Sequence, residues 1–325
     1  MIRIDTNSED VFYNFGCELY FASEKILPED VFLMWRTTPT LMIGKYQNTL
    51  EEIDAAYARE RGIRVVRRLS GGGTIYTDRG GWQFTYITRS VGMEIEFSRF
   101  IDPIVDALRS FGLDAEQNGR NDITVDGKKV SGNAQFRLGP VTVHHGSLLF
   151  ETDLSELARA TTPKPYKIES KAIASVRDRV TNIRDALPPE FSSLTMEEFR
   201  REVLCRMTAG EYRITPEDDG RIRELADGRF RDERVIYAAV PRFEMEKDIH
   251  TPGGTFRVGV TVKKGKIESA GVTGDFFADP AAAEELSGAL TGIEFTPEAV
   301  LAALRPCEGR LYGADAGMLT RGIFE

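Results

Sequence analysis

Cysteine and histidine are scarce in this chain of 325 residues, which contains three of each. The cysteines, Cys17, Cys205 and Cys307, lie far apart, so neither a disulfide framework nor a metal-ligand spacing is indicated. No apolar run is long enough to span a bilayer, and the first residues lack the apolar segment of a secretory signal. We therefore expect a reduced, cytosolic protein without a membrane anchor.

A basic surplus is also missing. The sequence has 51 acidic and 42 basic residues, a net charge of −9, which disfavours a general role on nucleic acid or an anionic membrane. A local anion pocket remains compatible with this balance. The length and the change in sequence texture near residue 245 predict two domains, a large one over residues 1–244 and a small one over residues 250–325.

Hydrophobic periodicity predicts an α+β protein, with mixed and antiparallel sheets flanked by helices and a small C-terminal α/β unit. Helices are expected at 9–25 after a Ser8 cap, at 51–62, at 100–111 with Asp102-Pro103 as the start, near 195–208 and near 216–227, and at 280–290 and 297–304. Strands are expected at 31–36, 40–46, 64–69, 74–77, 82–88 and, around an Asp126-Gly127 turn, at 123–125 and 128–130. Three C-terminal strands are expected around turns at 252–254 and 264–265.

The segment RRLSGGGTIYTDRGG, residues 67–81, places three consecutive glycines beside two arginines. Glycine lets main-chain N–H groups approach an anion, and Arg68 can add a bidentate contact. A flexible turn with surface arginines is the alternative. The segment is not a P-loop, because no Gly-Lys-Ser/Thr follows.

Three further segments could carry chemistry. Asp122 and Lys129 fall on neighbouring antiparallel strands, so they can lie close together, although a lysine after Asp-Gly is often solvated. His144 and His145 point to opposite faces of a strand and cannot bind one metal together. Residues 170–182, SKAIASVRDRVTN, could close over a ligand or form a charged surface loop.

The order of these segments is similar to that of the lipoate–protein ligase family. The resemblance rests on RRLSGGGTIYTD, GRNDITVDGKKVSGNA, HHGSLL and SKAIASVRDRVTN, together with WRTTPTLMIGKYQN near residue 35. It covers residues 8–185, and the C-terminal unit resembles the accessory domain of bacterial members. It implies a biotin/lipoate ligase-like fold.

The resemblance also implies a reaction. Such enzymes use ATP to convert lipoate into lipoyl-AMP and pyrophosphate, and then pass the lipoyl group to a lysine of a carrier domain, such as a dehydrogenase acyltransferase subunit or the glycine cleavage H protein. Lys129 is the implied catalytic cation, Asp122 helps organise the nucleotide or Mg²⁺, and His145 lines the lipoyl pocket. The implied contacts to nucleotide or lipoyl-AMP are Arg68, Gly72, Gly73, Thr74, Ile75, Tyr76, Asp122, Lys129, Gly132, Ala134, His145 and Val180. A monomer is expected.

Two positions depart from the family pattern, since Thr77 stands where histidine is usual and Gly81 where asparagine is common. Three alternatives remain open. An octanoyl or lipoyl transferase would need an activated thiol near the lysine, and no motif segment contains cysteine. A biotin–protein ligase would carry a different arginine-rich loop. A catalytically idle lipoate-binding protein would not need Arg68, Asp122 and Lys129 together.

Overall fold

The computed structural model describes residues 1–89, 96–119, 121–161, 179–237 and 243–324. The strands, numbered in chain order, are β1 Ile2–Ile4, β2 Val31–Trp35, β3 Thr40–Ile43, β4 Arg64–Arg67, β5 Ile75–Thr77, β6 Gly81–Arg89, β7 Ala115–Asn118, β8 Asp122–Val125, β9 Lys128–Leu138, β10 Val141–Leu149, β11 Gly210–Tyr212, β12 Met245–Thr251, β13 Gly254–Lys263 and β14 Lys266–Gly274. The helices are α1 Val11–Ser23, α2 Thr49–Glu52, α3 Ala55–Glu60, α4 Ser98–Arg109, α5 Leu154–Ala160, α6 Ile183–Ala186, α7 Met196–Met207, α8 Pro216–Leu225, α9 Glu233–Ile236, α10 Ala282–Leu290, α11 Pro297–Leu304 and α12 Ala316–Phe324. A π-helical turn, Ala226–Phe230, follows α8, and 3-10 turns cover Pro189–Phe191 and Arg305–Arg310.

These strands form three sheets. The largest has eight strands in the order β11-β1-β2-β6-β10-β9-β8-β7; the β11-β1 and β1-β2 pairs are parallel and the other pairs are antiparallel. A second sheet has the order β4-β3-β5, and a third, antiparallel sheet has the order β12-β13-β14. Mixed sheets with flanking helices confirm the α+β class.

Helices cover both faces of the eight-stranded sheet, and its central strands are buried on both sides. Along β2, Leu33 and Trp35 pack with α1, whereas Phe32 and Met34 pack with α4 and α7. All five residues of β2 are buried. The central strand β2 therefore has a hydrophobic core on each face. A cavity that could serve as a functional site lies at the edge of the core that contains α1.

Helix boundaries differ from expectation in three places. The α1 helix is capped by Asp10, whose side chain accepts from the N–H of Phe12, whereas Ser8 accepts from the N–H of Asp10. The α4 helix begins at Ser98, so Pro103 lies inside the helix and does not start it. The helix expected at 51–62 is divided, because Asp54 caps a second helix there.

The C-terminal part contains more helix than expected. Residues 316–324 form α12, which packs on β12 and α11 and contributes Leu319 and Ile323 to the local core. The three strands and the turns at 252–254 and 264–265 are as predicted. The division into domains at 1–244 and 250–325 stays a prediction. Within the residues described, no helix has the length and apolarity needed to cross a bilayer.

Candidate active site

A cavity of about 280 Å³ lies where the three sheets meet. The large sheet contributes residues of β2, β6, β8, β9 and β10, the second sheet contributes Met42 of β3 and the glycine segment, and the connection after β14 closes one side. The lining residues are Phe15, Trp35, Met42, Arg68, Gly72, Gly73, Thr74, Ile75, Gln83, Asn121, Asp122, Lys129, Gly132, Asn133, Ala134, His145, Gly146, Ser147, Asp275 and Phe277. The cavity therefore joins residues that are as many as 262 positions apart in the chain (15 to 277).

The three consecutive glycines, Gly71 to Gly73, differ in their surroundings and in the reason why a side chain is absent. A Cβ atom at Gly71 would overlap the carbonyl oxygen of Phe276. Gly72 has φ +86°, which favours glycine, and a Cβ there would lie 2.9 Å from the ring of Phe277. At Gly73 a Cβ would meet no atom within 4 Å, and this residue lines the cavity. Gly71 and Gly72 therefore allow the C-terminal residues Phe276 and Phe277 to pack closely, and of the three glycines only Gly73 faces free space.

Arg68 lies behind this glycine segment. Its side chain donates to the carbonyl oxygens of Met42, Gly71 and Gly73 at 2.6–2.8 Å, and its Nε donates to Ser70 Oγ at 3.1 Å. Burial, with the charge of Arg67 beside it, lowers the pKa of Arg68 to about 10, so the guanidinium keeps its proton at neutral pH. Arg68 holds the glycine segment in place and brings a positive charge to the cavity wall.

Lys129 and Asp122 meet across β8 and β9, as their positions predicted. The ammonium of Lys129 lies 2.7 Å from Asp122 Oδ1, and both side chains are about one-third exposed (38% and 33%). A Cβ at Gly132 would lie 3.2 Å from Lys129 Nζ, so glycine at this position leaves room for the lysine. The cation is held at the cavity and remains accessible.

Apolar side chains form the opposite end of the cavity. Phe15 from α1, Trp35 from β2 and Met42 from β3 are each at least 97% buried. The Phe15 and Trp35 rings meet edge to face at 5.5 Å. This end can hold a hydrocarbon chain away from water.

His144 and His145 point to opposite faces of β10, as strand alternation predicted. His145 faces the cavity, with Nε2 2.7 Å from Ser70 Oγ and Nδ1 3.2 Å from Glu18 Oε2. His144 lies among aromatic rings, and its Nε2 donates to Asn133 Oδ1 at 3.2 Å. Burial holds the pKa of His144 well below its usual range.

Two of the implied contacts do not line the cavity. Tyr76 is buried in a separate apolar cluster with Leu41 and Ile43. Val180 pairs with Lys129 in an isolated bridge, and the N–H of Thr181 donates to the Lys129 carbonyl at 3.0 Å. Of the segment 170–182, residues 170–178 lie outside the described residues.

Several lining residues were not predicted. Phe15 and Gln83 belong to no motif, Met42 lies in the segment WRTTPTLMIGKYQN but was not singled out, and Asp275 and Phe277 come from the C-terminal part. The positions that depart from the family pattern have local explanations. Thr77 accepts a hydrogen bond from Gln83 Nε2 at 2.8 Å, and a Cβ at Gly81 would lie 2.9 Å from Thr152 Oγ1.

Two carboxylates, those of Asp122 and Asp275, line the cavity. Glu52 does not line it, and burial raises the pKa of Glu52, with the charge of Asp275 raising it further. Across the described ranges, no group of three or more His, Cys, Asp or Glu residues could hold a metal ion. An ion that arrives with phosphate oxygens needs only one or two protein carboxylates, and Asp122 and Asp275 both line the cavity.

Comparison with known proteins gives concordant matches. Residues 10–208 match the family model described as the lipoyl protein ligase A/B catalytic domain, and residues 240–316 match that of the bacterial lipoate protein ligase C-terminus. The lipoate–protein ligase LplJ of Bacillus subtilis (strain 168) is 38% identical over 286 residues, 85% of this chain and 86% of that protein. Lipoate–protein ligase 1 of Staphylococcus aureus (strain Mu50) is 37% identical over 278 residues, 84% of each.

Solved structures of similar fold extend the comparison. The crystal structure of P. falciparum LipL1 in complex with lipoate has a TM-score of 0.78 at 21% identity and covers 93% of both chains. A crystal structure of lipoate–protein ligase A bound with ATP has a TM-score of 0.63 at 24% identity, covering 73% of this chain and 99% of that one. At these identities the likeness concerns the fold.

Proposed function

The chain belongs to the lipoate–protein ligase family, and we propose that the cavity described above is where it activates lipoate. ATP-dependent ligation of lipoate to protein is the activity of this family and of this enzyme. The observation that carries the assignment to the cavity is the meeting of three features: an accessible cation at Lys129, a bare glycine segment and an apolar end.

In the first step the lipoate carboxylate attacks the α-phosphorus of ATP, and pyrophosphate leaves. Two anions must come into contact, and at about 4 Å their repulsion is roughly 4 kcal/mol for an effective dielectric constant near 20. Lys129 offsets this repulsion if its ammonium bridges the acyl oxygen and the α-phosphate. Asp122 holds the ammonium beside the cavity until the substrates arrive. The role of Lys129 is therefore electrostatic.

The glycine segment serves the nucleotide. Gly73 and Thr74 line the cavity, and Thr74 donates through its hydroxyl to Gln47 Oε1 at 2.9 Å, which fixes the segment. The absence of a side chain at Gly73 lets the phosphate or ribose approach the main chain. Arg68 stabilises this conformation from behind and adds positive potential.

Mg²⁺ enters with ATP as part of the substrate in this proposal. Asp122 is one carboxylate able to contact it, because only its Oδ1 is bonded to Lys129. Asp275 is the second carboxylate that lines the cavity. The ion neutralises the phosphates that leave as pyrophosphate.

The lipoyl chain occupies the end formed by Phe15, Trp35 and Met42. Exclusion of water from this end and from the adenylate protects the mixed anhydride against hydrolysis. In the second step the neutral amine of a carrier lysine attacks the acyl carbon, and AMP leaves with the bonding electron pair. Proximity of the amine to the acyl carbon provides most of the rate acceleration in this second step. The amine proton passes to the leaving phosphate or to water.

A thioester route is disfavoured by the positions of the cysteines. No cavity-lining residue of the described ranges is a cysteine. Cys17 is completely buried, and burial raises the pKa of its thiol well above the usual value, so a reactive thiolate is absent there. These facts support adenylate chemistry over acyl transfer through a cysteine.

We propose that the reaction takes place on a monomer in the cytosol, with lipoyl-carrier domains as partners. Its net charge of −9 gives no support for nucleic acid or membrane as further partners.

Lipoate-dependent exchange of pyrophosphate into ATP tests this proposal. The expected result is exchange that requires both the chain and lipoate, followed by a lipoyl mass increase on a carrier domain added afterwards. Lipoate binding without exchange would favour the idle binding protein. Acyl transfer from an acylated carrier without ATP would favour the transferase.

A further inference from the structure

A buried carboxylate that no sequence motif singled out lies directly behind the cavity wall. Glu18 is in the middle of α1, and its side chain is 2% exposed. It contacts residues of two neighbouring strands, Thr85 on β6 and His145 on β10, which are cross-strand neighbours. Burial of a carboxylate is unfavourable unless donors surround it, so each contact of Glu18 is informative.

The direction of the hydrogen bonds on one side of Glu18 is fixed by donor chemistry. The indole Nε1–H of Trp35 can only donate, and it donates to Thr85 Oγ1 at 3.1 Å. The single hydroxyl proton of Thr85 is then available for Glu18 Oε1, at 2.5 Å. This side of the carboxylate is thereby tied to Trp35, a wall of the apolar end.

The direction on the other side follows in the same way. A carboxylate accepts hydrogen bonds, so the His145 Nδ1 atom at 3.2 Å carries the proton. Arg68 Nε–H donates to Ser70 Oγ at 3.1 Å, which leaves the Ser70 hydroxyl proton for His145 Nε2 at 2.7 Å. Arg68, Ser70, His145 and Glu18 therefore form a hydrogen-bonded relay in which each group donates to the next, from the cation Arg68 to the anion Glu18.

This inference rests on the proposed function and extends it. We propose that Glu18 is a positioning residue for the adenylation step: its carboxylate fixes the proton of His145 on Nδ1, which directs the Ser70 hydroxyl to the ring and keeps Arg68 behind the glycine segment. Glu18 itself does not line the cavity. It couples the acyl end, through Trp35 and His145, to the nucleotide end, through Arg68.

The relay makes a specific prediction for substrate affinities. In Glu18→Gln, the amide presents N–H to either His145 or Thr85, so one side of the relay loses its acceptor. Because Arg68 lies beside the nucleotide end, the KM for ATP rises ~10-fold, the size expected for a lost charge-assisted hydrogen bond. A purely local role at the acyl end would change the KM for lipoate alone.

A double-mutant cycle tests whether the effect of Glu18→Gln on the KM for ATP depends on Ser70. Pyrophosphate exchange is measured for wild type, Glu18→Gln, Ser70→Ala and the double variant of the full chain. We expect Glu18→Gln to raise the KM for ATP in the wild-type background and to add less than about twofold in the Ser70→Ala background, because both residues bind His145 and groups of one hydrogen-bond network are non-additive. An equal increase in both backgrounds, or an increase confined to lipoate, would overturn the proposal.

Asp218→Asn is the matched control. Asp218 is also completely buried and accepts from Tyr20 of α1 at 2.8 Å and from Lys25 at 2.7 Å, but it does not line the cavity. It should lower the unfolding temperature without changing the KM for ATP. The same increase in KM in this variant would assign the effect of Glu18 to lost stability and contradict the relay.

A measurement on the wild-type protein does not depend on the folding of variants. Histidine-selective ¹⁵N NMR reports which ring nitrogen of His145 is protonated. The relay predicts a proton on Nδ1 and none on Nε2, and the opposite tautomer would overturn it. If wild type shows no lipoate-dependent exchange, the proposed function is wrong. The NMR measurement of the His145 tautomer then still tests whether the hydrogen-bonded relay exists.

Discussion

Arg68 shows what a sequence can and cannot reveal about a single residue. The sequence places Arg68 beside the glycine segment, and both line the cavity. The sequence does not reveal that four of its donor contacts are made to main-chain and side-chain oxygens of its own surroundings. Local spacing identifies a residue type near a site, but the partners of a buried guanidinium depend on the tertiary fold.

The glycine segment gives a prediction that separates stability from binding. Gly73→Ala has free space and an ordinary backbone conformation, so unfolding free energy should stay within about 0.5 kcal/mol while the KM for ATP rises. Gly71→Ala should destabilise by roughly 1–3 kcal/mol, because the new methyl group overlaps the Phe276 carbonyl. Urea unfolding and pyrophosphate exchange measure the two effects. Equal destabilisation by both variants would contradict this assignment.

Lys129 gives the second prediction at this scale. Lys129→Met should reduce lipoate-dependent exchange by about 10²–10³-fold, the usual loss when a transition-state charge contact is removed. Stability should change by less than about 1 kcal/mol, because the ion pair with Asp122 is partly exposed. Lys128→Met is the control, since Lys128 is an exposed neighbour that does not line the cavity. A similar loss in both variants would exclude a specific role.

At the scale of elements, the hairpin of β8 and β9 was predicted better than the helix ends, although β9 extends to Leu138 and β1, β7 and β11 were not predicted. Alternation and the Asp126-Gly127 turn identify β8, β9 and their hairpin, because these signals are local. Helix starts depend on which side chain reaches a free N–H group, and Asp10 does so in place of Ser8. The sequence predicts a helix start at Asp102-Pro103, whereas the helix begins at Ser98. Packing of Phe100 and Ile101 in the core explains that extension.

The connection after β14 gives a prediction for an element. Tyr46 stacks on Phe276 with ring centroids 4.5 Å apart, and its hydroxyl donates to the Asp279 carbonyl at 2.7 Å. Tyr46→Phe keeps the stack and should lose about 1 kcal/mol, whereas Tyr46→Ala should lose about 3–5 kcal/mol. The alanine variant should also weaken exchange, because the same connection carries Asp275 and Phe277. Urea titration that finds both variants equally stable would contradict this packing.

At the scale of the molecule, the cavity is a junction of three sheets. The sequence indicated its glycine segment, its lysine and its aspartate, all in continuous motifs. It did not indicate Asp275 or Phe277, which reach the cavity only because the C-terminal part packs against residues 45–46 and 71–72. Contacts between such distant segments leave no local pattern.

His144 predicts how the stability of the whole molecule depends on pH. It stays neutral in the folded chain because burial depresses its pKa, whereas in the unfolded chain its pKa is near 6.5. The stability it contributes is therefore present above pH ~6.5 and falls by about 1.4 kcal/mol per unit as the pH decreases below that value.

Urea unfolding between pH 7.5 and 5 measures this dependence. Below pH ~6.5, the slope of the unfolding free energy against pH should be smaller in His144→Phe than in wild type by about 1.4 kcal/mol per pH unit, the contribution of one proton. This difference does not depend on the absolute stability of the variant. His250→Asn, at an exposed position on β12, should leave the slope close to that of wild type. An unchanged slope in His144→Phe would show that His144 is not the titrating group.

The most direct test of the central claim is a crystal structure with a non-hydrolysable analogue of lipoyl-AMP. The account predicts the lipoyl chain between Phe15, Trp35 and Met42, the phosphate beside Gly73, and Lys129 Nζ within about 3 Å of both the acyl and phosphate oxygens. An adenylate bound elsewhere, with Lys129 still paired only to Asp122, would contradict it.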